Sequence, residues 1–274
     1  MNSAVLVIAG TDSSGGAGLT RDVRVLADFG VDSFCAVTAV TAQSNSRVVG
    51  IHHIPAHILR EQIVAALETR RVGAVKIGML GNRATVDTVV ASFQASTGVP
   101  IVLDPVLLSS SGGALLDADG RAAMQENLLP LTTLATPNVP EAAILLGEEP
   151  ATTEVALVRQ AERLLSLGPQ AILLKGGHSL GPEAVDLLVS RDRGVQRIAS
   201  QRLPASHRGT GCALASAIAA GLASGLPLDE ACRRGKRYVL DMLATQSSLS
   251  RPTAGLDLPP HRGQAAVPSR QGAR

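Results

Sequence analysis

Short β-branched runs alternate with longer amphipathic stretches along most of this chain, and that alternation limits the fold more than any other feature. The runs at 5–9, 33–40, 74–77, 101–103, 133–136 and 171–174 are mostly continuous in apolar residues, as expected of parallel strands covered on both faces. Between them, 57–69, 83–94 and 155–167 carry Leu, Val and Ala at helical spacing. Strand alternating with helix predicts a doubly wound α/β fold, a mostly parallel central sheet with helices on both faces. Right-handed crossovers then line up the loops that follow the strand C-termini along one edge, where ligands bind in such folds. After 184–188 the pattern changes: a β-ribbon is expected near 196–199, then an irregular loop and two helices, 212–222 and 228–243. No internal repeat or boundary divides the chain. One domain is expected over 1–248, with a disordered tail at 249–274 where arginines lie among Pro, Gly and Gln.

Composition narrows the partners. With 274 residues, 45% of them hydrophobic, there is enough material for a sizeable core. A net charge of only +2 gives no basic face for nucleic acid. The three cysteines, Cys35, Cys212 and Cys232, are widely spaced and odd in number, which excludes a disulfide framework and a CxxC metal pair. The N-terminus lacks the basic region of a signal peptide, and every long apolar stretch is broken by Gly, Pro or charge before it could span a membrane. A cytoplasmic protein with no membrane partner is expected.

Several motifs carry candidate chemistry. The first strand runs into Gly10-Thr-Asp-Ser-Ser-Gly-Gly-Ala-Gly18, a turn that can expose backbone N–H groups to an anion. It is no P-loop, since Gly16 stands where the lysine is required, and the glycine spacing does not fit GxGxxG. A dinucleotide-dependent oxidoreductase is thereby disfavoured. Gly209-Thr210-Gly211 precedes an Ala-rich helix, and N–H groups at such a start can hold developing phosphate charge. An ordinary glycine-rich helix start reads the same way locally. Cys212 sits at that N-terminus, a placement that lowers a thiol pKa. Asn138-Val-Pro-Glu141 fits either a magnesium-side pair or a capping box. Asp104, before Pro105, is a second magnesium-side carboxylate or a turn residue. Lys175 ends a strand, and Gln43 ends another with an amide that can donate and accept at once. Cys35 and Cys232 are expected in the core.

Read together, IAGTDSSGGAGL (8–19), TAVTAQ (38–43), VKIGML (75–80), LDPV (103–106), TPNVPEA (136–142), LLKGGH (173–178) and GTGC (209–212) resemble, in order and spacing, the hydroxymethylpyrimidine and phosphomethylpyrimidine kinases of the ribokinase-like superfamily. The resemblance covers everything but the tail. It implies an ATP- and magnesium-dependent kinase that phosphorylates 4-amino-5-hydroxymethyl-2-methylpyrimidine and then its monophosphate, on the route to thiamine. It implies that Gln43, Gly10, Asp22 and Met79 bind the pyrimidine, that Lys175 and Asn138 lie by the ATP phosphates, that Glu141 and Asp104 serve magnesium, and that Cys212 takes the acceptor's proton beside the Gly209-Thr210-Gly211 anion hole. With so few aromatic residues, the ring would rest on Val, Leu and Met. Dimers are common among such kinases, although no stretch here marks an interface.

The chain departs from the family pattern at several points. Thr20 and Arg21 replace Gln and Ala, Ser44-Asn45 replaces Asn-Thr, and Ser109-Ser110-Ser111 lacks a lysine usually present. Arg208 stands where histidine is usual, with His207 displaced by one, and is expected to bring charge near the phosphates. These departures keep two other readings open: a pyridoxal or pyridoxine kinase, and a non-catalytic binder of a pyrimidine or vitamer.

Overall fold

The computed structural model describes residues 3–44, 47–69, 71–94, 98–109, 112–176, 183–203 and 208–249. The expected tail disorder, Ser110, Ser111, His178 and His207 therefore lie outside the described residues, apart from Leu249 at the tail's first position.

Nine strands form one sheet: β1 (Ala4–Asp12), β2 (Asp32–Gln43), β3 (Val48–His53), β4 (Val72–Ile77), β5 (Ile101–Leu103), β6 (Leu134–Ala135), β7 (Ala171–Lys175), β8 (Glu183–Ser190) and β9 (Gly194–Gln201). Their order is β3-β2-β1-β4-β5-β6-β7-β8-β9. The six strands from β2 through β7 pair in parallel, whereas β3, β8 and β9 run antiparallel at the two edges. The doubly wound sheet thus appears as expected, with β3 added. That strand was not anticipated because it is an edge strand with most of its residues exposed, so no apolar run marks it.

Alternation along β1 sets the two layers. Leu6 and Ile8 enter a core beneath α2 (Ala56–Glu68), α3 (Arg83–Phe93), α5 (Val139–Leu146) and α6 (Glu154–Ser166), while Val5, Val7 and Ala9 face α1 (Gly18–Asp28), α7 (Thr210–Ala223) and α8 (Leu228–Leu249). Short α4 (Ala118–Ala123) continues as a π turn and a 3₁₀ turn to Leu131, closing the first layer. α8 extends beyond its expected end. Cys232 is buried as expected; Cys35 is exposed on β2, ahead of the stretch Ala39–Gln43 that pairs with β3. No described helix is long and apolar enough to cross a membrane.

The chain reverses direction across the sheet between β1 and β4, so their following loops open a crevice at the strand C-termini. Core and edge should differ in cost. Ile63→Ala, at a site with 0% exposure, is expected to lower the urea unfolding free energy by about 2–5 kcal/mol. Val49→Ala, 67% exposed on β3, should stay within about 0.5 kcal/mol of wild type.

Candidate active site

Main chain packed against main chain shapes one wall of this crevice. Gly209 caps α7 with φ 76°, and a Cβ placed there would lie 2.3 Å from the Gly16 carbonyl oxygen. Gly18, at φ 59°, would bring a Cβ to 2.5 Å from the Gly10 oxygen. Only glycine allows the 10–18 loop to fold back so tightly onto β1 and the start of α7. The Ser13 hydroxyl donates to the Gln43 carbonyl and accepts from the Gln43 N–H, both at 2.8 Å, which fastens the loop to the end of β2. Arg208 adds a third tie: it donates to Asp12 Oδ2 at 3.2 Å, to Ser14 Oγ at 3.3 Å and to the Ser44 carbonyl at 3.1 Å. Its guanidinium thus engages the loop that forms the wall, where sequence alone pointed to phosphate.

Behind the wall is a charged floor. On β4, Lys76 points toward α1 and α7 with no exposed surface, and its Nζ donates to Asp22 Oδ2 at 2.7 Å. Asp22 Oδ1 accepts at 2.8 Å from Ser216, one turn after Cys212 on α7. Burial opposes the Lys76 charge, but Asp22, with Cys212 and Asp104 behind it, holds the ammonium above the ordinary lysine value. Asp22, expected among the residues around the pyrimidine, is fully buried and does not line the cavity; it stands behind Lys76. The expected lowering of Cys212 is overturned. Desolvation pushes its thiol up to about 12, outweighing the pull of Lys76 and of the Gly18 N–H, while Asp22 and Asp104 add to the rise.

Opposite the floor lies a lysine between two carboxylates. Lys175 Nζ is 2.9 Å from Asp104 Oδ1 and 3.9 Å from Glu141 Oε2. Burial opposes the Asp104 charge, yet Lys175 and Lys76 hold its carboxyl below the usual value. Glu141 goes the other way: desolvation, reinforced by Asp104, raises it to about 7 against the pull of Lys175 and the Asn138 N–H. Asn138 and Glu141 form a complete capping box on α5, with both bonds at 2.8 Å. The capping alternative is therefore realised, and it leaves Glu141 Oε1 outside that box. Among the described residues no group of three or more His, Cys, Asp or Glu could hold a metal ion. A pair of carboxylates nevertheless fits magnesium, which keeps waters and takes its other ligands from phosphates.

These walls enclose a cavity of about 460 Å³. Gly10, Gln43, Met79, Asp104, Asn138, Glu141, Lys175, Arg208, Gly209, Thr210, Gly211 and Cys212 all line it. Its larger apolar side chains are Met79, Val106, Leu108 and Leu115, with no aromatic ring among the lining residues. Sequence reasoning assigned no role to Lys76, Asp12 or Thr41, which also line it. Lys76 was detectable as the one charge inside an otherwise apolar strand run; Asp12 and Thr41 carried no comparable signal. The N–H groups at the start of α7 lack intrahelical partners. A Cβ on Gly211 would lie 3.2 Å from Lys175 Nζ and 3.5 Å from Asp104 Oδ2. The start of α7 and the cationic side chain therefore face one small space.

Comparisons with known proteins bear on the family and the fold. The family model described as phosphomethylpyrimidine kinase matches residues 12–255. A hydroxymethylpyrimidine/phosphomethylpyrimidine kinase of Rhizobium meliloti is 41% identical over 87% of this chain and 90% of its own. The crystal structure of a phosphomethylpyrimidine kinase from Clostridium difficile 630, 34% identical, superposes with a TM-score of 0.77 over 88% of this chain and 99% of that one. A pyridoxal kinase of Bacillus subtilis, solved as an ADP complex, is 28% identical with a TM-score of 0.80 over 87% and 90% of the two chains.

Two outcomes are expected from the geometry. Gly209→Ala should destabilise the fold by about 1–3 kcal/mol in urea unfolding, since a side chain is strained at this φ and meets the Gly16 oxygen. Glu141 holds a proton in the folded state that the unfolded chain releases near 4.5. Its contribution to stability is thus complete below pH 4.5 and lost as pH rises through about 7. Glu141→Gln keeps the capping acceptor and removes the titration. Urea unfolding across this range should show wild type losing stability relative to the variant, with a constant difference above pH 8. A flat difference throughout would contradict the raised carboxyl.

Proposed function

The chain belongs to the phosphomethylpyrimidine kinase family, and we infer that it transfers the γ-phosphoryl group of ATP to 4-amino-5-hydroxymethyl-2-methylpyrimidine and then to the resulting monophosphate. The observation that carries this reading is the meeting of the α7 N-terminus with Lys175 and Asp104 across one cavity, beside the Gln43 amide. Phosphoryl transfer needs alignment, charge neutralisation and a destination for a proton, and this chain has residues for each.

Gln43 would recognise the polar edge of the pyrimidine, with Gly10 and Met79 against its face. The N–H groups of Thr210, Gly211 and Cys212 would receive the charge spreading over the transferred phosphoryl. Lys175 would bind the nucleotide phosphates, and Asn138 would stay close to them while capping α5. Asp104 and Glu141 would hold magnesium through retained waters; when bound, it neutralises phosphate charge. Cys212 would take the acceptor's proton. Because its thiol lies at about 12 in the ligand-free protein, the reactive thiolate is scarce near neutrality and grows with pH. Residues 1–248 would act as one catalytic unit, in keeping with the continuous sheet. Pyridoxal is a second acceptor to consider, because the pyridoxal kinase of Bacillus subtilis superposes on this chain as well as the pyrimidine kinase does.

The deciding assay offers ATP and magnesium with the hydroxymethylpyrimidine or pyridoxal separately and identifies products by mass. Mono- and diphosphorylated pyrimidine are expected. Pyridoxal phosphate alone would replace the substrate while keeping the mechanism, and no product from folded protein would favour a non-catalytic binder. Cys212→Ala should lower kcat by about 10²–10⁴-fold. Wild-type kcat/KM should climb with pH to at least 9, and the residual activity of the variant should not. Near wild-type turnover in Cys212→Ala would remove Cys212 from the proton transfer.

A further inference from the structure

A fully buried ion pair lies directly beneath the cavity. Lys76 and Asp22 side chains are both 0% exposed and 2.7 Å apart. The effective desolvation cost is several kcal/mol per ion, and well-packed apolar residues often replace such pairs without loss. Apolar replacement would suit this layer, since Val5, Val7 and Ala74 pack on the same face of the sheet. The lysine instead directs its charge to the cavity floor, where Gly78 leaves it room: a Cβ there would lie 2.8 Å from Nζ.

The pair is aimed at α7. Ser216 holds Asp22 from one turn beyond Cys212, and residues four apart share a helix face. Cys212 and Lys76 line the same cavity. We propose that Lys76 is a positioning residue for phosphoryl transfer: its ammonium, anchored by Asp22, is the fixed positive charge against which the Cys212 sulfur loses and regains its proton. This rests on the reading that Cys212 accepts the proton of the substrate hydroxyl. In that step the O–H bond breaks and an S–H bond forms. The oxygen bonds to phosphorus, and the bond between the γ-phosphorus and ADP opens. Lys76 stays an ammonium throughout and gives up no proton. The charges that act on the sulfur are Lys76 from β4, Asp22 from α1 and Asp104 after β5, and the Gly18 N–H also points to it. Of the other cations that line the cavity, Lys175 has Asp104 and Glu141 beside it and Arg208 is paired with Asp12.

Alkylation separates charge from mere packing. Iodoacetamide labelling of Cys212 is followed by peptide mass spectrometry across pH, without nucleotide or metal, in a Cys35→Ser background because Cys35 is exposed. Lys76→Met should move the labelling profile to higher pH and slow labelling at pH 8 by about 10-fold or more, since one pKa unit changes the thiolate tenfold. Asp22→Asn should move the profile to lower pH and speed labelling. The double variant leaves no lone buried charge, so it keeps the comparison open if Lys76→Met does not fold; it should label more slowly than Asp22→Asn. Shifts of both single variants in the same direction, a double variant labelling as fast as Asp22→Asn, or unchanged profiles would overturn the proposal. Loss of kcat with little change in KM is expected for Lys76→Met. Failure of the Cys212 reading itself is scored separately, by turnover of Cys212→Ala.

Discussion

The ion pair between Lys76 and Asp22 fixes more of this molecule than any other single interaction. It joins β4 to α1, and through Ser216 it joins both to α7. Neither charge reaches solvent. Separating the elements would leave a buried charge without its partner, which in comparable cases costs about 3–5 kcal/mol. Helix α7 is therefore held at a defined height over the sheet, and with it the row of N–H groups that starts at Thr210. Apolar packing alone, mostly alanine along α7, would restrain the helix position less sharply.

The second constraint is the closeness of main chains. Gly10, Gly18 and Gly209 let the loop after β1 press against β2 and α7, while the Ser13 and Arg208 bonds fasten its outer side. On the other side, the capping box of Asn138 and Glu141 makes one structural device serve two ends. It starts α5, and it holds a carboxylate next to Lys175 and Asp104. Two helix starts and a strand end converge, so the cavity combines unbonded N–H groups, a lysine and a carboxylate pair within a small volume.

Much of this was legible in the sequence because the parallel strands are covered on both faces and so read as apolar runs. The β3 edge escaped because one-sided, exposed strands such as Val48–His53 leave no such run. Most of the residues singled out through the family resemblance line the cavity, because it lies where strand ends and helix starts meet. Asp22 stands apart from the cavity lining, and its position carried that information: it shares the buried stripe of α1 with Val25 and Leu26, a placement that turns a side chain away from the loop edge. The Cys212 thiol could not be read this way. A helix start pulls its pKa down, but the balance is decided by desolvation and by carboxylates far away in sequence. Arg208 was similarly underdetermined, because nothing in the chain order brings it beside Asp12.

The glycine-built wall also bears on how such an enzyme can change its diet over evolutionary time. Gly10, Gly18 and Gly209 belong to the lining, and point mutation cannot change them without disturbing the close main-chain approaches they allow. Variation is left to a handful of outward positions, chiefly Gln43, Met79, Val106 and Leu108. Under the proposed reading, a lineage could exchange one heterocyclic alcohol for another through few side-chain replacements, while the turns at Gly18 and Gly209 stay as they are.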